Sequence, residues 1–190
     1  MDKNKYNLIK EKYGLLSSWA VWAKVSEKPK SNMGDLNIFN DPKTIEYLNE
    51  NIIFVGLNIS RGSIKVPFAN FHDANPRATD FKTRYALKDT SYWGGYMTDI
   101  IKNYSEVDSG QIPKYLKDNP DIEANNVKVF EEELDDLGSK NPLIIAFGAL
   151  TFKILQRNFK HRYKIKKIPH YANHGSKERY REDVIKILNT

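Results

Sequence analysis

Three observations predict an α/β protein: a three-layer α/β/α sandwich around a central four-stranded, mainly parallel sheet. Short apolar runs of four to seven residues recur along the chain, helical segments with one apolar face separate them, and prolines, glycines and Asn or Asp residues mark the joints. Strands that alternate with helices in this way form parallel sheets covered on both faces.

The elements follow in order. Residues 6–23 place Ile9, Tyr13, Leu16 and Ala20 at helical spacing, which predicts an N-terminal helix with Gly14 as its point of interruption. "SEKPKSNMGD" is a loop, and Asp41-Pro42 opens a short helix running to about Asn51. The first strand is Ile52 to Leu57. After an irregular stretch, "RATDFKTRYAL" predicts a helix with Phe81, Tyr85 and Leu87 turned inward. Tyr96 to Ile101 is the second strand. Asn119-Pro120 opens a helix that ends at Gly138, with Ile122, Val129, Phe130, Leu134 and Leu137 as its buried stripe and the acids at 131–133 and 135–136 mainly outside. "PLIIAFG" is the strongest strand, and Gly148 turns it into the helix "ALTFKILQRNF". A last strand, Tyr163 to Pro169, precedes a helix capped by Ser176. The simplest organisation is one domain over 1–190, with residues 1–50 as a helical extension packed on it.

Composition narrows the function. The chain has 190 residues, 40% hydrophobic and 28% charged, which argues against disorder. It has no cysteine, so disulfides, thiol nucleophiles and zinc–thiolate sites are excluded. The charged start "MDKNKYNLIKEKYG" is unlike a signal peptide or a membrane span, and a cytoplasmic protein is expected. The net charge of +6 favours an anionic partner. "RNFKHRYKIKK", with seven basic residues in eleven, is either a solvated edge or a nucleic-acid face.

In parallel sheets, ligands gather at the carboxyl ends of the strands. Those ends are Gly56-Leu57-Asn58, Asp99 to Lys102, Gly148, and His170-Tyr171. Asn58 either holds a water through its amide or closes a turn. His170 either donates a hydrogen bond to a developing anion or packs. Phe68 either stacks on a planar ligand or belongs to the core. Phe71-His72-Asp73 lacks the further ligands of a metal site, and no phosphate-binding glycine loop or nucleophile elbow is present.

Taken together, the segments from about Asn51 to His174 resemble the uracil-DNA glycosylase superfamily, in particular its mismatch-specific and single-strand-selective branches. "GLNIS" keeps the Gly and Asn of G-x-N-P-G and replaces its Pro and Gly by Ile59 and Ser60. "VPFANFHDANPRATDF" is similar to the Pro-Phe-Ala stretch whose phenylalanine stacks on the base. "MTDIIK" matches T-N-x-V-K at Thr98, Ile101 and Lys102, with Asp99 in place of the base-reading Asn. "PHYANHG" keeps the His of H-P-S and loses its Pro and Ser.

The resemblance implies a DNA glycosylase that flips a damaged or deaminated base and hydrolyses its N-glycosidic bond, with DNA as partner and neither metal nor cofactor. It places Asn58 and His170 at the reacting bond and Phe68, Asp99 and Leu57 against the base. Ser60, Arg61, Tyr171, Asn173 and His174 would lie along the DNA. An ionised Asp99 can only accept hydrogen bonds, which suits a base with N–H donors better than uracil. The alternatives are an inactive relative that binds DNA or a nucleobase without cutting it, and an unrelated α/β module.

Overall fold

The computed structural model describes residues 1–59, 64–102, 104, 109–172 and 175–190. Helix α1 (Lys3–Tyr13) leads into strand β1 (Ser17–Trp19). Helix α2 (Pro42–Tyr47) precedes β2 (Asn49–Asn58), and α3 (Phe81–Leu87) precedes β3 (Gly95–Ile101). Helices α4 (Ile112–Asp118) and α5 (Pro120–Leu137) then lead to β4 (Leu143–Phe147), α6 (Ala149–Phe159), β5 (Lys164–Ile168) and α7 (Lys177–Leu188).

The strands lie in the order β1-β3-β2-β4-β5. β2 is parallel to both β3 and β4, and β4 is parallel to β5. The chain therefore steps from β2 to one side, then crosses back through α4 and α5 to the other side. Such a reversal opens a crevice at the carboxyl ends of the two strands that flank it. Here they are β2 and β4.

Side-chain alternation along the strands divides the interior into two cores. Ile53, Val55, Tyr96, Ile144 and Ala146 face one way and pack with residues of α1, α5 and α6, among them Ile9, Phe130 and Ile154. Phe54, Met97, Ile145 and Phe147 face the other way, against Leu87 of α3 and Val184 of α7. The three layers expected from the sequence are present, with one strand more than expected. The predicted N-terminal helix stops at Tyr13, and Ser17–Trp19 instead pairs antiparallel with Thr98, Met97 and Tyr96. The N-terminal segment thus contributes an edge strand as well as a helix.

Two helix faces differ from the sequence reading. Tyr85 is turned outward, with the Lys177 ammonium 4.6 Å from its ring centroid, while Ala86 and Leu87 fill the core. On α5, Glu133 is not on the outside: its side chain is fully buried, 2.7 Å from the Lys102 ammonium. Tyr96 Oη and Thr98 Oγ1 donate to Glu133 Oε1 at 2.6 and 2.9 Å, and Lys102 Nζ donates to Thr98 Oγ1 and to the Asp99 carbonyl. Burial drives the Tyr96 hydroxyl well above its ordinary pKa, and the Glu133 carboxylate adds to the effect.

Part of the basic run is taken up by structure, while Lys160, His161, Lys164 and Lys167 stay exposed. Arg157 pairs with Glu123 and Arg162 with Glu131 on α5. Lys166 donates to the carbonyls of Ile187 and Leu188 at the end of α7, where a cation meets the negative pole of the helix.

Removing one partner of a buried ion pair strands the other charge in a dry interior. Lys102→Met is expected to lower the unfolding free energy by roughly 3–5 kcal/mol in urea titrations. Adding Glu133→Leu to that variant should recover a large part of the loss.

Candidate functional site

A cleft of about 1210 Å³ opens at the crevice between β2 and β4. Its floor is Gly56, Leu57 and Asn58 from the end of β2, with Asp99 from β3 beside them. One wall is Gly148 and the first turn of α6. The opposite wall comes from residues 73–80 ahead of α3, and the end of β5 with the residues after it, 167–172, closes the third side. A smaller groove of about 690 Å³ lies between Asp89–Tyr92 and α7, ahead of β3 and away from the carboxyl ends of the strands.

Two glycines shape the cleft by leaving space. A β-carbon at Gly56 would collide with Asp99 Oδ1, so the carboxyl of Asp99 lies over the backbone of β2 only because residue 56 has no side chain. Gly148 has φ +84°, a conformation that other residues adopt only with strain, and it turns the chain directly from β4 into α6. No side chain caps the start of α6, whose first turn, Ala149 to Thr151, lines the cleft.

Asp99 is the most deeply placed carboxyl of the cleft, 3% exposed. Asn70 Nδ2 donates to its Oδ2 at 2.9 Å and also to the Leu16 carbonyl at 3.2 Å, while Asn70 Oδ1 accepts from the Phe71 N–H. Burial pushes the Asp99 pKa up to about 6, against the opposing effects of the Asn70 hydrogen bond and the Lys102 charge. Asp80 is buried as well, and its Oδ2 accepts from the Asp73 N–H at 3.0 Å.

His170 meets the cleft from the β5 side. The Ala172 N–H donates to its Nδ1 at 3.1 Å, so the neutral ring carries its proton on Nε2. Burial lowers its pKa, which keeps the ring neutral near pH 7. Tyr171 lies 4.3 Å from it, centroid to centroid, and Phe147 stands edge-on to both rings. Asn58 donates through Nδ2 to the carbonyls of Ile59 and Tyr104, both at 3.3 Å. It therefore ties the end of β2 to the segment after β3.

The residues singled out in the sequence divide into three groups. Asn58, Leu57, Asp99, His170 and Tyr171 all line this one cleft. Phe68 does not. Its ring is fully buried 5.7 Å from Tyr6 and 5.1 Å from Phe39, in the core beneath α1. Its φ of +65° and its backbone bonds to Gly14 and Ser18 hold it there, so the stacking role given to it is corrected. Ser60, Arg61, Asn173 and His174 lie outside the described residues.

Sequence reasoning missed Asn70, Asp80, Phe147 and the first turn of α6. A signal for Asn70 was within reach, because it sits in the same "PFANFHD" stretch that drew attention to Phe68. His72 belongs to the fold: it is buried, with Nε2 2.8 Å from the Val21 carbonyl and Nδ1 3.0 Å from that of Asn70. Among the described residues, no group of three or more His, Cys, Asp or Glu side chains could hold a metal ion, and no helix is long and apolar enough to cross a membrane.

Two outcomes are expected of stability measurements. Phe68→Ala should cost about 3–5 kcal/mol in unfolding free energy, as for other buried phenylalanines. Asp99 titrates near its ordinary 3.8 in an unfolded chain and at about 6 in the fold. The folded state therefore holds the proton more tightly, and stability falls as pH rises through that interval, by about 3 kcal/mol in total. Asp99→Asn removes this loss. Urea titration should show it about 1–3 kcal/mol more stable than the wild type near pH 8 and about equal near pH 4.

Comparison of the chain with protein-family models, curated proteins and solved structures finds no match.

Proposed function

We propose that the protein hydrolyses the N-glycosidic bond of a damaged or deaminated base in DNA. One observation carries this reading. Segments that resemble separate glycosylase motifs, at the ends of β2, β3 and β5, bring Asn58, Asp99 and His170 to a single cleft. The cleft suits a flat heterocycle flipped out of a helix, with Tyr171, His170 and Phe147 supplying aromatic surface. As the C1′–N bond stretches, negative charge moves onto the base. The Nε2–H of neutral His170 is a donor suited to that charge, and it acts without giving up a whole proton. Arg77 and Lys167 on the lip of the cleft suit the phosphates of a strand.

The burial of Phe68 favours a second reading, a protein that holds a base or DNA without cutting, because the residue expected to stack on the base is absent from the cleft. The two readings separate in one assay. Oligonucleotides carrying a panel of damaged bases are incubated with the protein, and abasic sites are revealed with alkali. Release is expected from at least one member, with His170→Ala slower by roughly 10²-fold. Salt-dependent binding without a single abasic site would establish the second reading instead.

A further inference from the structure

We infer that Asp99, rather than Asn58, is the group that activates the attacking water. This rests on the glycosidase reading and moves Asp99 from the edge of the base, where the resemblance puts its position, to the sugar side of the reaction.

The argument starts from what each side chain can do. An amide orients water but takes no proton from it. Both carbonyls held by Asn58 Nδ2 belong to the backbone, those of Ile59 and Tyr104, so its amide serves to join two segments. Asp99 has the proton-accepting group that Asn58 lacks. Its carboxyl lines the cleft, one oxygen is oriented by Asn70, and the other occupies the space that Gly56 leaves open.

Burial leaves that carboxylate basic, against the opposing charge of Lys102. Lys102 directs its ammonium to Glu133, to Thr98 and to the Asp99 carbonyl, on the opposite face of β3 from the Asp99 carboxyl. Asp80 and Glu133 both add negative charge in its surroundings. Of the other acids in the cleft, Asp73 accepts from the Asn75 N–H, and Asp80 accepts from the Asp73 N–H, both as parts of the loop ahead of α3.

The step balances with water as the only co-reactant. Asp99 takes a proton from the water as its oxygen bonds to C1′, and the C1′–N bond breaks with its electron pair going to the base. The base anion, held by His170, then receives the proton from Asp99. The products are the free base and an abasic sugar, and the carboxylate is restored.

Base release under single-turnover conditions tests this in the wild type, Asp99→Asn, Asp99→Ala and Asn58→Ala, with thermal melts confirming that each variant is folded. Asp99→Asn is expected to lose roughly 10²-fold or more in rate, the usual contribution of a general base. Asn58→Ala, which unties the end of β2 from the segment after β3 but removes no proton acceptor, should lose less rate than Asp99→Asn and should show no response to formate. Formate, a free carboxylate that fits the space vacated in Asp99→Ala, should restore part of the rate. A residue that merely held the fold would show no such rescue. The wild-type rate, which needs no variant, should fall as pH drops through about 6, where Asp99 takes up its proton. Full activity in Asp99→Asn would overturn the inference and leave the glycosidase reading standing. So would a rate lost to the same extent in Asn58→Ala, with no response to formate in Asp99→Ala. A wild type that releases no base from any oligonucleotide would overturn the glycosidase reading itself, and the inference with it.

Discussion

The carboxyl end of β3 is held by a pair of charges buried from solvent. Lys102 and Glu133 are both buried, and an ion pair in that position is tolerated only when further hydrogen bonds satisfy each partner. Tyr96 and Thr98 supply them for the carboxylate, while Thr98 and the Asp99 carbonyl supply them for the ammonium. These contacts are directional, so they set how α5 lies on the sheet in a way that apolar packing alone would not. The Lys102 N–H adds a bond to the buried amide oxygen of Asn126, one more link between the end of β3 and α5.

The alternation of β3 turns this anchor into a positioning device. Tyr96 and Thr98 face α5, so Met97 and Asp99 face the other core. Fixing one face of the strand therefore fixes the height and direction of the carboxyl on the opposite face. Gly56 on β2 completes the arrangement by leaving the space into which that carboxyl folds. The cleft is thus shaped as much by positions without a side chain, Gly56 and Gly148, as by the polar groups that line it.

The central strands β2 and β4 were legible because both of their faces are buried, which leaves near-continuous apolar runs such as "IIFVG" and "LIIAF". β1 was not, since "SSW" is short and two-thirds polar, and its partner β3 lies some eighty residues away (Ser17 pairs with Thr98). Glu133 escaped for a related reason: among neighbouring acids it reads as solvated, and only its long-range partner Lys102 explains its burial. In the site, strand ends located Asn58, Asp99 and His170 because topology alone sends such positions to one edge of the sheet. Phe68 shows the limit of that logic. A phenylalanine in a loop carries no mark that separates a ring facing a ligand from a ring facing the core, and the left-handed backbone that decides the matter is invisible in a residue other than glycine or asparagine.

Asp99 also bears on why the fold keeps a carboxyl where an amide would be more stable. Its burial opposes ionisation, and Asn70 and Lys102 offset only part of that cost. An asparagine there would keep the shape, avoid the desolvated charge and still accept a hydrogen bond from Asn70. The one property it would lack is the capacity to take up a proton near neutral pH. Strain of this kind, a buried acid poised between its two states at the floor of a cleft, is the physical signature expected of a group that exchanges a proton in the course of its work. The same burial that weakens the folded state raises the basicity of the carboxylate, so the energetic cost of Asp99 and the role proposed for it have a single cause.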